Sequence, residues 1–276
     1  MLLGHSFGGA TVRLLSELLA HGDAEEKRTS DPSPLFLGGM ESRIHGIVAL
    51  ASPMNGTTAY DMFDDPSFDP AAIRVPWWSR KLAQWMSKGT KPILDGRDSS
   101  DYANFDMHVD NAMAMNRRIS TLPSVYYFSV PCSRTARQPD GTHKPRRGME
   151  PLFVMRSYQI GAYKGSTAGG TVIDESWLEN DGLVNTVSAM APAGAPFRAL
   201  DRALDRERIQ PGIWNVCPAV GEDHMWPQGG PMRKHHIKDF YLNLLDMIEG
   251  SQEAQAGTAQ GCITRNGDLM GKNEAM

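Results

Sequence analysis

The chain has 276 residues, 41% of them hydrophobic and 22% charged, with 28 basic side chains against 32 acidic ones and a net charge of −4. This is globular composition on the scale of one large α/β domain. The slight acidity and the lack of a long basic run argue against nucleic acid as a partner, and no stretch reaches the roughly 18 apolar residues of a membrane helix.

The chain opens on Met1-Leu2-Leu3, an apolar strand end, followed by Gly4-His5-Ser6-Phe7-Gly8-Gly9 and then a helix over 10–21 that closes at His21-Gly22. A serine between glycines on a strand-to-helix turn fits the G-x-S-x-G nucleophile elbow of α/β-hydrolases. The glycines two residues to either side of Ser6 are expected to permit close backbone approach and a strained turn. The helix would aim its free N–H groups and positive dipole end at the serine, with the Phe7 amide as one oxyanion donor. Its apolar face reads as Val12, Leu15, Leu18 and Leu19, with Arg13, Ser16 and Glu17 on the polar side. Only three residues precede the elbow where a doubly wound hydrolase sheet holds several strands, so the chain reads as the C-terminal part of a larger protein.

Residues 23–39 read as a charged loop insertion. The run 43–52 reads as a strand buried on both faces, with His45 as a hydrogen-bonded core histidine. From 57 to 96 the bulky set Phe63, Phe68, Trp77, Trp78, Leu82, Trp85 and Met86 suits either core filling or a lid over an apolar pocket, with 78–86 helical in pattern. Asp101, Asp106, His108 and Asp110 cluster locally, but their spacing matches no strong metal signature, so a solvated face is favoured. Val125–Val130 is a strand by its β-branched and aromatic content.

Asp181, before Gly182 in Trp177-Leu178-Glu179-Asn180-Asp181-Gly182, is a plain Asp-Gly turn or the acid of a hydrolase. Further on, a short strand at 213–216 leads to Gly221-Glu222-Asp223-His224, a histidine on a loop. A helix follows with Ile237, Phe240, Tyr241, Leu244, Leu245 and Ile248 on one face. His235 and His236 read as surface or helix-capping residues, and residues 251–276 as a disordered tail. Cys132, Cys217 and Cys262 are odd in number and widely spaced, so they specify neither a disulfide framework nor a compartment.

The order Ser6, Asp181, His224 is the α/β-hydrolase order. His224 would take the Ser6 proton and return it to the leaving alcohol, Asp181 would hold the imidazole, and the Phe7 amide would receive the oxyanion. The same words, together with Ala51-Ser52-Pro53, Gly56-Thr57-Thr58, Gly212-Ile213-Trp214-Asn215 and Asp223-His224, resemble the bacterial triacylglycerol lipases of the staphylococcal and thermophilic-bacillus type, in order from residue 1 to about residue 249.

That resemblance implies an α/β-hydrolase fold over 1–250, a mostly parallel sheet with helices on both faces, lacking its N-terminal strands. It also implies Ser6, Asp181 and His224 as the triad, ester substrates including triacylglycerols met at an oil–water interface, and secretion. No cofactor is required for the chemistry. The family's structural zinc site would draw one ligand from Asp101, in Asp101-Tyr102-Ala103-Asn104-Phe105-Asp106. Its calcium site would use the carbonyl of Gly148 with acids after the histidine, but the run from Trp226 to Pro231 holds none, which argues against calcium. The rival readings are a short-chain esterase of the same fold and a non-catalytic relic or binding module.

Overall fold

The computed structural model describes residues 1–94, 103–201, 208–229 and 237–250. Strand β1 (Leu2–His5) runs into helix α1 (Phe7–His21), and β2 (Gly46–Leu50) follows. Helices α2 (Thr58–Asp61), α3 (Trp77–Leu94), α4 (Ala103–Met107) and α5 (Val109–Asn116) precede β3 (Tyr126–Val130). A two-stranded ribbon, β4 (Thr135–Arg137) and β5 (His143–Pro145), leads to α6 (Pro151–Ile160). A second ribbon, β6 (Gly165–Ser166) and β7 (Val172–Ile173), then β8 (Phe197–Ala199), β9 (Trp214–Val216) and a helix α7 over 237–250 complete the described chain.

The central sheet has the order β1-β2-β3-β9-β8 with every pairing parallel, and β1 lies at its edge. Strands buried on both faces explain the unbroken apolar runs. The pleat then sorts them. Ile47, Ala49, Tyr127 and Trp214 face one core, against which Val12 and Leu19 of α1 pack, while Val48, Leu50, Phe128 and Val130 face the other, with Leu244 and Met247 of α7. Helices therefore cover both faces, an α/β-hydrolase arrangement.

Several expectations are corrected by the packing. The strand at 43–52 shortens to Gly46–Leu50, and half-buried His45 sits ahead of it against the Tyr126 ring, 5.3 Å between centroids. On α1, Arg13 and Ser16 are buried while Leu14 is exposed. The Arg13 guanidinium donates to Asn116 Oδ1 at 2.9 Å and lies 5.9 Å from the Trp214 ring centroid. Burial pushes its pKa down to about 10. On α7, Leu245 is exposed and Met247 takes the core position.

Core filling fails for much of the 57–96 stretch, because Phe63, Trp77, Trp78 and Trp85 are exposed, whereas Met62 is buried and Phe68 packs edge-on against Tyr163 at 4.9 Å. The tail at 251–276, His235 and His236 lie outside the described residues, as does Cys262; Cys132 and Cys217 are buried.

Candidate active site

Ser6 sits between β1 and α1 with φ 56° and ψ −132°, a conformation outside the ordinary range for a side-chain-bearing residue. Its amide donates to the Leu50 carbonyl at 2.9 Å, which ties the turn to the neighbouring strand. Ser6 is the N-cap of α1, yet its hydroxyl makes no capping bond and is directed away from the helix. Phe7 is the first residue of α1, so its amide has no acceptor within the helix and points out of the N-terminus.

The glycines divide their work differently from the motif's pattern. A Cβ on Gly4 would lie 2.2 Å from the Gly8 carbonyl, and one on Gly9 would lie 2.1 Å from Ser52 Oγ, whereas one on Gly8 would meet nothing within 4 Å. Close approach is thus required at Gly4 and Gly9. Gly9→Ala is expected to destabilise the fold by about 1–3 kcal/mol or more through overpacking. Gly8→Ala should stay within about 0.5 kcal/mol of the parent, with denaturant unfolding of both variants as the measurement.

Asp181 is held by its own turn. Its Oδ1 accepts from the amides of Leu183 at 2.9 Å and Val184 at 2.7 Å, and its backbone carbonyl accepts from the His224 amide at 3.0 Å. Asn180, fully buried, braces the same loop by accepting from the Gly182 amide at 2.9 Å and the Ser157 hydroxyl at 2.8 Å. On the other loop, Asp223 accepts from the amides of Glu150 at 2.9 Å and Met225 at 3.1 Å, so the residue before His224 is pinned. Burial is the main cause that raises the Asp223 pKa, and the nearby Asp181 carboxylate adds to it.

The three residues meet. His224 Nδ1 lies 2.8 Å from Asp181 Oδ2, and Nε2 lies 2.8 Å from Ser6 Oγ. A carboxylate only accepts, so Nδ1–H donates to it, and in the neutral ring Nε2 is left to accept the serine proton. Asp181 and His224 are almost fully buried, and the Phe153 ring meets the imidazole edge-on at 5.8 Å.

His5 was not singled out by the sequence. Its Nε2 donates to the His224 carbonyl at 2.8 Å, its Nδ1 accepts from Gln228 Nε2 at 3.0 Å, and its ring lies 4.9 Å from that of His224. Burial first, and then the neighbouring His224, lower its pKa. The signal was present in the motif's variable position, but its partners lie more than 200 residues away.

The acidic cluster around α5 serves the fold. Asp110 accepts from Thr167 Oγ1 at 2.6 Å, Thr171 Oγ1 at 3.0 Å and the Gly169 amide at 2.6 Å, closing the β6–β7 ribbon. His108 pairs with Asp61 at 3.3 Å and Asp64 at 3.6 Å. Among the described residues no three His, Cys, Asp or Glu side chains are grouped to hold a metal. Asp101, the zinc ligand implied by resemblance, lies outside the described residues. At the position where the resemblance would place a calcium-binding acid, Trp226 is a buried indole packed on Phe240, while Asp223 nearby accepts from the Glu150 and Met225 amides.

Residues 1–70 and 93–253 match the family model described as lipase-like, C-terminal domain. Lipase 1 of Staphylococcus aureus (strain NCTC 8325 / PS 47) is 30% identical over 277 residues, covering 89% of this chain and 39% of that protein. Lipase 2 of Staphylococcus aureus is 28% identical over 254 residues, covering 81% and 35%. The chain thus spans well under half the length of these curated relatives. Among solved structures, EstA from Clostridium botulinum superposes with a TM-score of 0.72 at 26% identity, over 90% of this chain and 64% of that one. The Staphylococcus hyicus lipase superposes with a TM-score of 0.70 at 23% identity, over 92% and 70%, a likeness of fold. Since the matched residues make up most of the sequence and include the serine, the aspartate and the histidine just described, the chain belongs to the lipase-like, C-terminal domain family.

Proposed function

We propose that this chain carries the catalytic serine, acid and base of a carboxylic-ester hydrolase, most simply a triacylglycerol lipase. The observation that carries the reading is the unbroken 2.8 Å and 2.8 Å relay from Asp181 through His224 to Ser6. A free serine hydroxyl is a weak nucleophile at neutral pH, and a correctly oriented imidazole activates it. Ser6 Oγ attacks the ester carbonyl carbon as its proton passes to His224 Nε2, and the Asp181 carboxylate stabilises the imidazolium so formed. The carbonyl oxygen, now an anion, is received by the Phe7 amide and the N-terminal end of α1. His224 then gives its proton to the departing alcohol, leaving an acyl-serine. Water, deprotonated by the same imidazole, cleaves that ester and frees the acid.

A lipid ester substrate is supported by the sequence resemblance and by the staphylococcal relatives named lipases, and an extracellular place of work by the resemblance alone. The reading is tested by hydrolysis of a soluble p-nitrophenyl ester and of an emulsified triacylglycerol, with the Ser6→Ala chain as the comparison.

His5 enters as a positioning residue. Replacing it with phenylalanine keeps a ring beside His224 but deletes both hydrogen bonds. The loosened imidazole is expected to lower kcat about tenfold to a hundredfold with KM little changed. His5→Gln, whose amide can still donate to the His224 carbonyl, should recover part of the loss. A uniform fall for both variants that tracks their stability would reduce His5 to a packing role.

A further inference from the structure

Helix α3 carries the most exposed aromatic surface on the molecule's described residues. Trp77, Trp78 and Trp85 are 71%, 40% and 72% exposed, while Trp177, Trp214 and Trp226 are buried. At helical spacing, 77, 81 and 85 fall in one row and 78 lies two turns before 85, so one face presents three indoles around Lys81. The Lys81 ammonium sits 5.1 Å from the Trp77 ring centroid. The opposite side of the helix is already used: Ser79 is buried, Leu82 and Ala83 are half-buried, and α3 packs on α6. Beside it an apolar groove of about 480 Å³ opens between Phe63, Val75, Ala83 and Met155.

The charge of this segment departs from that of the chain. Between Pro70 and Leu94 stand Arg74, Arg80, Lys81, Lys88 and Lys91 and no aspartate or glutamate, in a chain of net charge −4. The match to the family model covers residues 1–70 and 93–253 and so leaves out most of this helix. Grouped exposed apolar side chains mark a docking surface. Protein interfaces put aromatics in a core depleted in lysine, whereas here a lysine stands among the indoles. Indoles at the headgroup level flanked by cations are the mark of a helix lying on an anionic bilayer.

We propose that α3 docks this protein on an anionic lipid surface, with the Trp77–Lys81–Trp85 face lying in the headgroup layer. Docking of this kind needs no ester cleavage and goes beyond the hydrolase reading. It would nevertheless serve such an enzyme, since α3 rests on α6, whose Phe153 touches His224.

The test uses the full chain carrying Ser6→Ala and vesicles of ether-linked phosphatidylcholine, with and without ether-linked phosphatidylglycerol, so that nothing can be hydrolysed. The three buried tryptophans give a constant background. The expected result is a blue shift of tryptophan emission and co-sedimentation with the phosphatidylglycerol vesicles, both weakened by salt. The triple variant Trp77→Ser, Trp78→Ser, Trp85→Ser is expected to bind about tenfold more weakly or worse. Lys81→Glu, which keeps the aromatic face, should lose the preference for the anionic vesicles, and near-UV circular dichroism confirms that both variants fold. An unmoved emission with the chain left in the supernatant would overturn the proposal. So would binding indifferent to lipid charge, or a vesicle-independent blue shift that follows self-association of the chain through this face. Vesicle binding by the Ser6→Ala chain together with no ester cleavage by its Ser6 parent would sink the hydrolase reading alone, and ester cleavage by the parent without vesicle binding would sink the docking alone.

Discussion

Ser6→Ala is expected to lower the hydrolysis of a soluble ester by roughly six orders of magnitude, as loss of a nucleophile that works as one unit with its base does elsewhere. The fold should survive the change. The bond that anchors the elbow runs from the Ser6 amide to the Leu50 carbonyl and involves no side-chain atom. Alanine meets the positive φ of 56° at the same cost as serine, because both carry a Cβ. What vanishes is the oxygen 2.8 Å from His224 Nε2. Steady-state turnover read beside a thermal melt separates chemistry from folding. Turnover near the parent's with an unchanged melt would remove Ser6 from the mechanism and with it the proposed reaction.

The second large effect is expected at Asp181. Asp181→Asn is nearly isosteric, and its amide oxygen can go on accepting from the Leu183 and Val184 amides as Oδ1 does now. Its NH₂ group must then face His224 Nδ1, where the carboxylate oxygen stood at 2.8 Å. A donor in that place forces Nδ1 to accept, so the ring carries its proton on Nε2 and offers Ser6 a donor instead of a base. The loss should be about 10⁴-fold in kcat. A wrong tautomer differs from a lost nucleophile in one respect: serine-directed phosphonates should still label the variant, only slowly, whereas Ser6→Ala should not be labelled at all. A loss of only a few-fold would mean that Asp181 merely shapes its turn.

Much of this could be read from the chain because the relevant physics is local. The elbow is six consecutive residues whose glycines and flanking strand and helix signals sit side by side. The strands under it are buried on both faces and therefore read as plain apolar runs. The Asp181 turn is an Asp-Gly step whose carboxylate bonds to its own next amides. Chain order supplied the remaining link.

What was hidden depends on partners remote in sequence. Arg13 looked like a solvent-facing residue because periodicity counts any guanidinium as polar, yet Asn116 and Trp214, brought in from other elements, make its burial tolerable. Gly9 could not be told from Gly8, since only the position of Ser52 makes one of them crowded. The aromatic stretch after Thr58 could not be assigned to core or surface, because indoles are equally at home in both, and only the seat of α3 on α6 decides which side faces outward.

By itself, then, the sequence singled out the candidate reacting groups and the order in which the chain delivers them, for these are written in adjacent residues and short-range hydrogen bonds. The tertiary structure alone decided the distances between Ser6, Asp181 and His224, the hold of His5, itself bonded by Gln228, on the His224 backbone carbonyl, and the outward turn of Trp77, Trp78 and Trp85. Each of those rests on groups far apart along the chain, whose separation is fixed only when the parallel sheet and its two helical layers close around them.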